Sequence, residues 1–127
     1  MKSIDLKKSI VITSTELFLT LGFKSVTMDD IAEEMKISKK TIYTFFVNKE
    51  ALVQSVVFSM YSYITTNLTQ IREEAKNPIS ELYEVKMFIM HQLKGEKTSP
   101  QHQLRKYYPN IHKELQKKTI RFYDKIG

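Results

Sequence analysis

The chain has 127 residues, enough for one domain with a core or for a small module joined to part of a second. It has no cysteine, which excludes disulfides and thiolate metal sites, and it lacks the run of about 18 apolar residues that a membrane span needs. The net charge of +6 suits an anionic partner, but residues 1–50 hold 8 Lys/Arg against 7 Asp/Glu and residues 51–127 hold 12 against 7, so charge alone does not locate the partner's surface.

Glycine and proline are scarce, and apolar residues recur at spacings of three and four, the period of an all-α chain. Residues 1–10 interleave Lys2, Asp5, Lys7 and Lys8 with single apolar residues, which is no secretory leader, and a cytoplasmic location follows as the expectation. The first helix is predicted over residues 5–21, with Ile10, Ser14, Leu17, Phe18 and Leu21 as one stripe and Gly22 as its stop. Phe23 returns the chain to the core. A second helix over residues 27–35 opens on Thr27 as cap, with Asp29 and Asp30 at its positive end and Ile31, Ala32 and Met35 facing inward. Lys36-Ile37 makes a turn, and Ser38 caps a short helix over residues 39–46. Asn48 caps a long fourth helix over residues 49–76, along which Leu52, Val56, Tyr63 and Ile71 are apolar. Asn77-Pro78 stops it and starts a fifth over residues 78–93, with Leu82, Val85, Phe88 and Ile89 predicted inward. Residues 94–98 read as loop. Ser99-Pro100 opens a short helix to residue 107, and Pro109 opens a last one carrying Ile111, Leu115, Ile120 and Tyr123.

Residues 27–46 thus form helix, three-residue turn, helix. On the second of the two, Ile42 and Phe46 share one face and can close a core with Ile31, Met35, Ile37 and the stripe of the first helix. Lys39 with Tyr43, and Lys40 with Thr44, point the other way. That outer face suits duplex DNA: lysine reaches phosphate or guanine, threonine reaches phosphate or a thymine methyl, and tyrosine offers a hydroxyl and an apolar ring edge. Ser38 and the backbone N–H groups beside it suit a phosphate. Asp29, Asp30, Glu33 and Glu34 must at least partly face away from the duplex. A second reading of the same residues is a helical protein-interaction module that uses these aromatics on a protein partner and does not bind DNA. No nucleophile–base pair, metal cluster or phosphate-cradling glycine loop is present, so no enzymatic activity is expected. His91, His102 and His112 do not share a helical face at metal spacing, and neither metal nor cofactor is expected.

The stretch ELFLTLGFKSVTMDDIAEEMKISKKTIYTFFVNKEALV resembles the tetracycline-repressor family of bacterial transcription regulators. The matching positions are Leu17-Phe18, Gly22-Phe23, Thr27, Ile31-Ala32, Ile37-Ser38, Thr41-Ile42-Tyr43, Phe46, Lys49-Glu50 and Leu52, within residues 4–55. The resemblance implies a helix-turn-helix DNA-binding domain over residues 1–48, and a helical ligand-binding and dimerisation domain over residues 49–127 that lacks its usual dimerisation helices. It implies a repressor that binds a palindromic operator as a homodimer, near the nucleoid, and is released by a small effector. Thr27 then caps the second helix and touches phosphate, Thr41 and Tyr43 contact the duplex, and Lys49 holds phosphate. Lys39, Lys40, Thr44 and Phe45 fall on variable contact positions. Two departures stand out: Lys36 replaces a common glycine, so the turn is expected to hold a side chain at positive φ, and Phe45 replaces a residue able to donate to phosphate. For the effector, Met60, Tyr63, Met87, His91 and Tyr107 are the candidate pocket residues, although Met and aromatics at helical spacing more often form core.

Overall fold

The computed structural model describes residues 3–93 and 100–126, and these contain helices and no strand. In chain order they are α1 (Ser3–Leu21), α2 (Met28–Met35), α3 (Lys39–Phe45), α4 (Lys49–Glu74), α5 (Pro78–Leu93), α6 (Pro100–Tyr107) and α7 (Pro109–Ile126). The loop expected at residues 94–98 and the cap at Ser99 lie outside the described residues. The all-α expectation holds, and most helix bounds fall within two residues of their predicted places. α3 stops one residue early because Phe46 takes an extended conformation while its N–H still reaches the Ile42 carbonyl at 3.0 Å.

The helix starts follow from their caps. The side chains of Thr27, Ser38 and Asn48 accept from the backbone N–H groups of Asp30, Thr41 and Ala51, and Asn77 does the same for Ser80. Each bond satisfies an N–H that a helix start leaves without a partner, and a cap of this kind stabilises by about 1 kcal/mol. α1 ends at Gly22, whose φ of +101° lies in the region that favours glycine.

α1 packs on α2 and on the first half of α4, and α2 packs on α3. Ile10, Phe18, Phe23, Ile31, Ile42 and Phe46 are buried together with Leu52, Val53, Val56 and Val57 of α4, and Leu104 and Ile111 join the same core from α6 and α7. One continuous core therefore runs from the N-terminal helices into α6 and α7, and the first turns of α4 belong to it. Burying each of these larger side chains contributes about 1.5–3 kcal/mol before the entropy of ordering is counted.

The periodic pattern misplaces several apolar residues. Leu21 is 56% exposed, although Phe18 in the same last turn of α1 is fully buried. α5 packs on α4 alone among the better-contacted pairs, so it hides Val85 and Phe88 only in part and leaves Leu82 (72% exposed) and Ile89 outside. Ile120 and Tyr123 of α7 are likewise exposed.

Candidate nucleic-acid interface

The interface is built from two short helices and the turns that aim them. Thr27 and Asp30 form a reciprocal box: Thr27 Oγ1 accepts from the Asp30 N–H at 3.1 Å, and Asp30 Oδ2 accepts from the Thr27 N–H at 2.8 Å. The Thr27 backbone N–H first, and the Thr27 hydroxyl second, hold the Asp30 carboxyl below its ordinary value of 3.8. The Thr27 hydroxyl stands at the exposed start of α2.

α2 closes on Lys36 in the left-handed region, at φ 57° and ψ 42°. The Lys36 N–H reaches the Glu33 carbonyl at 3.2 Å and the Ile37 N–H reaches the Ala32 carbonyl at 3.0 Å, which is a Schellman closure made without glycine. The positive φ expected at Lys36 is present. This turn sets the angle at which α3 leaves α2.

α3 divides inside from outside. Ile42 is buried and Phe46, just beyond the helix, is buried with it. Lys39, Lys40 and Thr44 are exposed and Tyr43 is 44% exposed, so these four share the outer face. Thr44 Oγ1 donates to the Lys40 carbonyl at 3.1 Å, and Thr41 is half-buried with its hydroxyl 2.8 Å from that of Ser38. Lys39 Nζ lies 3.2 Å from Asp29 in an exposed pair. Such a pair is weak and is easily exchanged for a phosphate.

Two predicted contact residues sit differently from the rest. Phe45 is half-buried against the core and lines a surface groove with Val11, Ile12 and Val47, away from Tyr43. Lys49 is also half-buried, with Nζ donating to the Lys24 carbonyl at 3.3 Å and lying 5.9 Å from the Phe18 ring centre. Burial pushes its pKa down, and the Asp30 carboxylate opposes that shift. An ammonium has three donors, so Lys49 keeps hydrogens for a second partner.

The segment between α1 and α2 is held from the far end of the chain, which no local pattern predicts. Gln103 Oε1 of α6 accepts from the Phe23 N–H at 2.7 Å and from the Lys24 N–H at 3.5 Å. Lys24 Nζ lies 4.8 Å over the Tyr107 ring, and the Phe18 and Phe23 rings stack with centres 5.1 Å apart. The sequence signal nearest to this is Gly22-Phe23, which marks a turn but names no partner.

A partly enclosed cavity of about 200 Å³ lies between α4, α6 and α7. Met60 lines it, with Phe23, Tyr61, Leu104, Leu115 and Phe122 among its other walls. The remaining pocket candidates lie elsewhere. Tyr63, Met87 and His91 are exposed, Tyr63 with its ring centre 6.1 Å from that of Phe88, and Tyr107 lies against Lys24 and Lys106. Among the described residues no cluster of His, Asp or Glu is arranged to hold a metal ion, and no helix is long and apolar enough to cross a membrane.

Residues 10–56 match the profile described as bacterial regulatory proteins, tetR family. The N-terminal module belongs to that family. Similar curated proteins include two from Bacillus subtilis (strain 168). The uncharacterized HTH-type transcriptional regulator YhgD is 37% identical over 82 residues, covering 65% of this chain and 41% of the relative. The uncharacterized HTH-type transcriptional regulator YuxN is 34% identical over 99 residues, covering 69% and 34%. The biofilm operon icaADBC HTH-type negative transcriptional regulator IcaR of Staphylococcus aureus is 25% identical over 79 residues, covering 62% and 42%. The chain spans less than half the length of these relatives. No solved structure matches it. The matched stretch runs from the buried middle of α1 to Val56 of α4, so the family's module includes the α4 turns that complete its core.

Proposed function

We propose that the chain is a sequence-specific DNA-binding transcriptional regulator, acting as a repressor and as a homodimer on a palindromic duplex. One observation carries the reading: α3 buries Ile42 while Lys39, Lys40, Tyr43 and Thr44 stand together on its outer face, within a tetR-family module. In helix-turn-helix binding, the second helix enters the major groove and the first rests on the backbone. Tyr43 and the two lysines then meet base edges and phosphates, Thr27 brings its hydroxyl to phosphate, and Lys49 turns a free hydrogen outward while holding the Lys24 carbonyl. Phe45 supports α3 from the side instead of touching the duplex. The negative sense follows by analogy with IcaR, which is named as a negative transcriptional regulator.

A small effector in the α4–α6–α7 cavity is the proposed release signal. Phe23 forms part of the cavity wall, and Gln103 ties its backbone to α6. Filling the cavity shifts α6 or α4, changes the separation of two recognition helices, and spoils their match to half-sites about 34–36 Å apart. A bacterial cytoplasmic location on the nucleoid goes with this role.

The test is selection of duplexes from a random pool, followed by titration of the winner at several salt concentrations. A shared palindromic sequence is expected. Tyr43→Ala should weaken its binding by about 1–3 kcal/mol and relax the selected sequence. Lys49→Ala should weaken all duplexes alike and lower the salt slope by about one. Recovery of no common sequence by the full-length dimer overturns the reading.

A further inference from the structure

We propose that the cavity between α4, α6 and α7 takes an uncharged, mostly apolar molecule of about one ring in size, with a single hydrogen-bond donor. The proposal names the ligand class for the effector site above and rests on that reading.

The walls decide the class. No Lys, Arg, His, Asp or Glu side chain lines the cavity among the described residues. A carboxylate or an ammonium placed there loses its water and meets no opposite charge, which is costly. The polar groups in the wall are the exposed Gln101 amide and Tyr123 hydroxyl and three further hydroxyls, whose protons are committed. Tyr61 donates to the Lys118 carbonyl at 2.7 Å, Thr65 to the Tyr61 carbonyl at 2.9 Å, and Thr119 to the Leu115 carbonyl at 2.8 Å. Each of these three hydroxyl oxygens keeps a lone pair. These hydroxyls can therefore accept from a ligand but cannot donate without breaking a bond they already make. A phenol-like or alcohol-like O–H finds an acceptor at any of the three; a bare carbonyl is left with Gln101 and Tyr123, which are largely exposed to water.

Size sets the rest. An apolar cavity of about 150 Å³ holds a benzene. At about 200 Å³ this one has room for one ring and a small substituent. The occupant lies against Phe23, whose ring stacks on Phe18 of α1, so the ligand touches a core side chain of the DNA-binding module itself.

The test uses four probes of one size on the 127-residue chain: toluene, p-cresol, benzoate and benzylammonium. Binding is read from the methyl NMR signals of Met60 and Leu115. Saturable shifts are expected with toluene and p-cresol, and p-cresol should bind roughly threefold to tenfold tighter, the worth of one net hydrogen bond. Benzoate and benzylammonium should bind at least about tenfold more weakly than p-cresol. In the Tyr61→Phe, Thr65→Val, Thr119→Val triple variant, p-cresol should lose its advantage while toluene still binds. Charged probes that bind as well as p-cresol, or no binding by any of the four, overturn the proposal. So does an advantage for p-cresol that survives the triple variant. Duplex binding measured without any probe tests the regulatory reading separately. Neutral probes that bind without altering the duplex complex leave the ligand class standing and remove the release mechanism.

Discussion

The side-chain oxygen of Gln103 accepts a hydrogen bond from the backbone N–H of Phe23 at 2.7 Å, across 80 residues of chain. The carbonyl of the next residue, Lys24, accepts from Lys49. The segment between α1 and α2 is thus held on its donor side by α6 and on its acceptor side by α4. It leads directly into Thr27, the cap of the helix expected to rest on the DNA backbone.

Replacing Gln103 by leucine keeps the size and removes the acceptor. The buried Phe23 N–H is then left without its partner, and a loss of about 1–3 kcal/mol is expected in urea unfolding. Gln103→Glu keeps an acceptor and should lose less. Equal losses in the two variants would mean that packing, and not the hydrogen bond, is what Gln103 supplies.

Gly22→Ala meets two obstacles at once. The backbone there has φ +101°, and an added Cβ would sit 3.0 Å from Gln103 Oε1. A loss of about 1–2 kcal/mol is expected from the backbone alone. Combining the change with Gln103→Ala removes the crowding but leaves the φ strain, so thermal unfolding of the pair should show only partial recovery.

Lys36→Gly tests the closure of α2 from the opposite direction. The left-handed conformation burdens a lysine by about 1–2 kcal/mol, while glycine gains freedom in the unfolded chain. A net gain of about 1 kcal/mol is expected by urea unfolding. The angle between α2 and α3 should be unchanged, so duplex affinity should stay within a few-fold.

The Thr27–Asp30 box predicts a pH dependence. The folded pKa of Asp30 lies below its ordinary value of 3.8. The unfolded chain therefore takes up the proton first on acidification. The stability that the Asp30 carboxylate contributes is present above 3.8 and is lost as pH falls through the folded value. Asp30→Asn should unfold more readily than the parent chain at neutral pH, and the difference should shrink in acid. A difference that stays constant down to the acid limit would rule out the carboxylate as its source.

What the sequence disclosed was mainly local. Thr27, Ser38, Asn48 and Asn77 each act within three residues, and each is legible as a cap. The inner and outer faces of α3 follow from its short repeat, and the positive φ at Lys36 follows from the resemblance to a family that commonly has glycine at that position. The exposed faces of α5 and α7 were not legible, because periodicity shows that a stripe exists but not what covers it. Leu82 and Ile89 belong to such a stripe and stand in the open. Phe45 was hidden for a related reason: its neighbours in the groove come from α1 and α4, and α3 alone does not name them. The Gln103 bond depends on where α6 docks, which follows only from the whole core.

The 80-residue span of the Gln103 bond also orders events during synthesis. The helices that contact one another from α1 to the first half of α4 are near neighbours in the chain, so they can collapse as soon as that stretch leaves the ribosome. At about 5–20 residues per second, Gln103 follows Phe23 by several seconds or more. For that interval the nascent module holds its recognition helix in place while the turn ahead of α2 is tethered on one side only. A ribosome paused within α5 should display a module that is folded yet slacker at Gly22–Val26 than the finished chain, a difference that pulsed proteolysis of stalled chains can read.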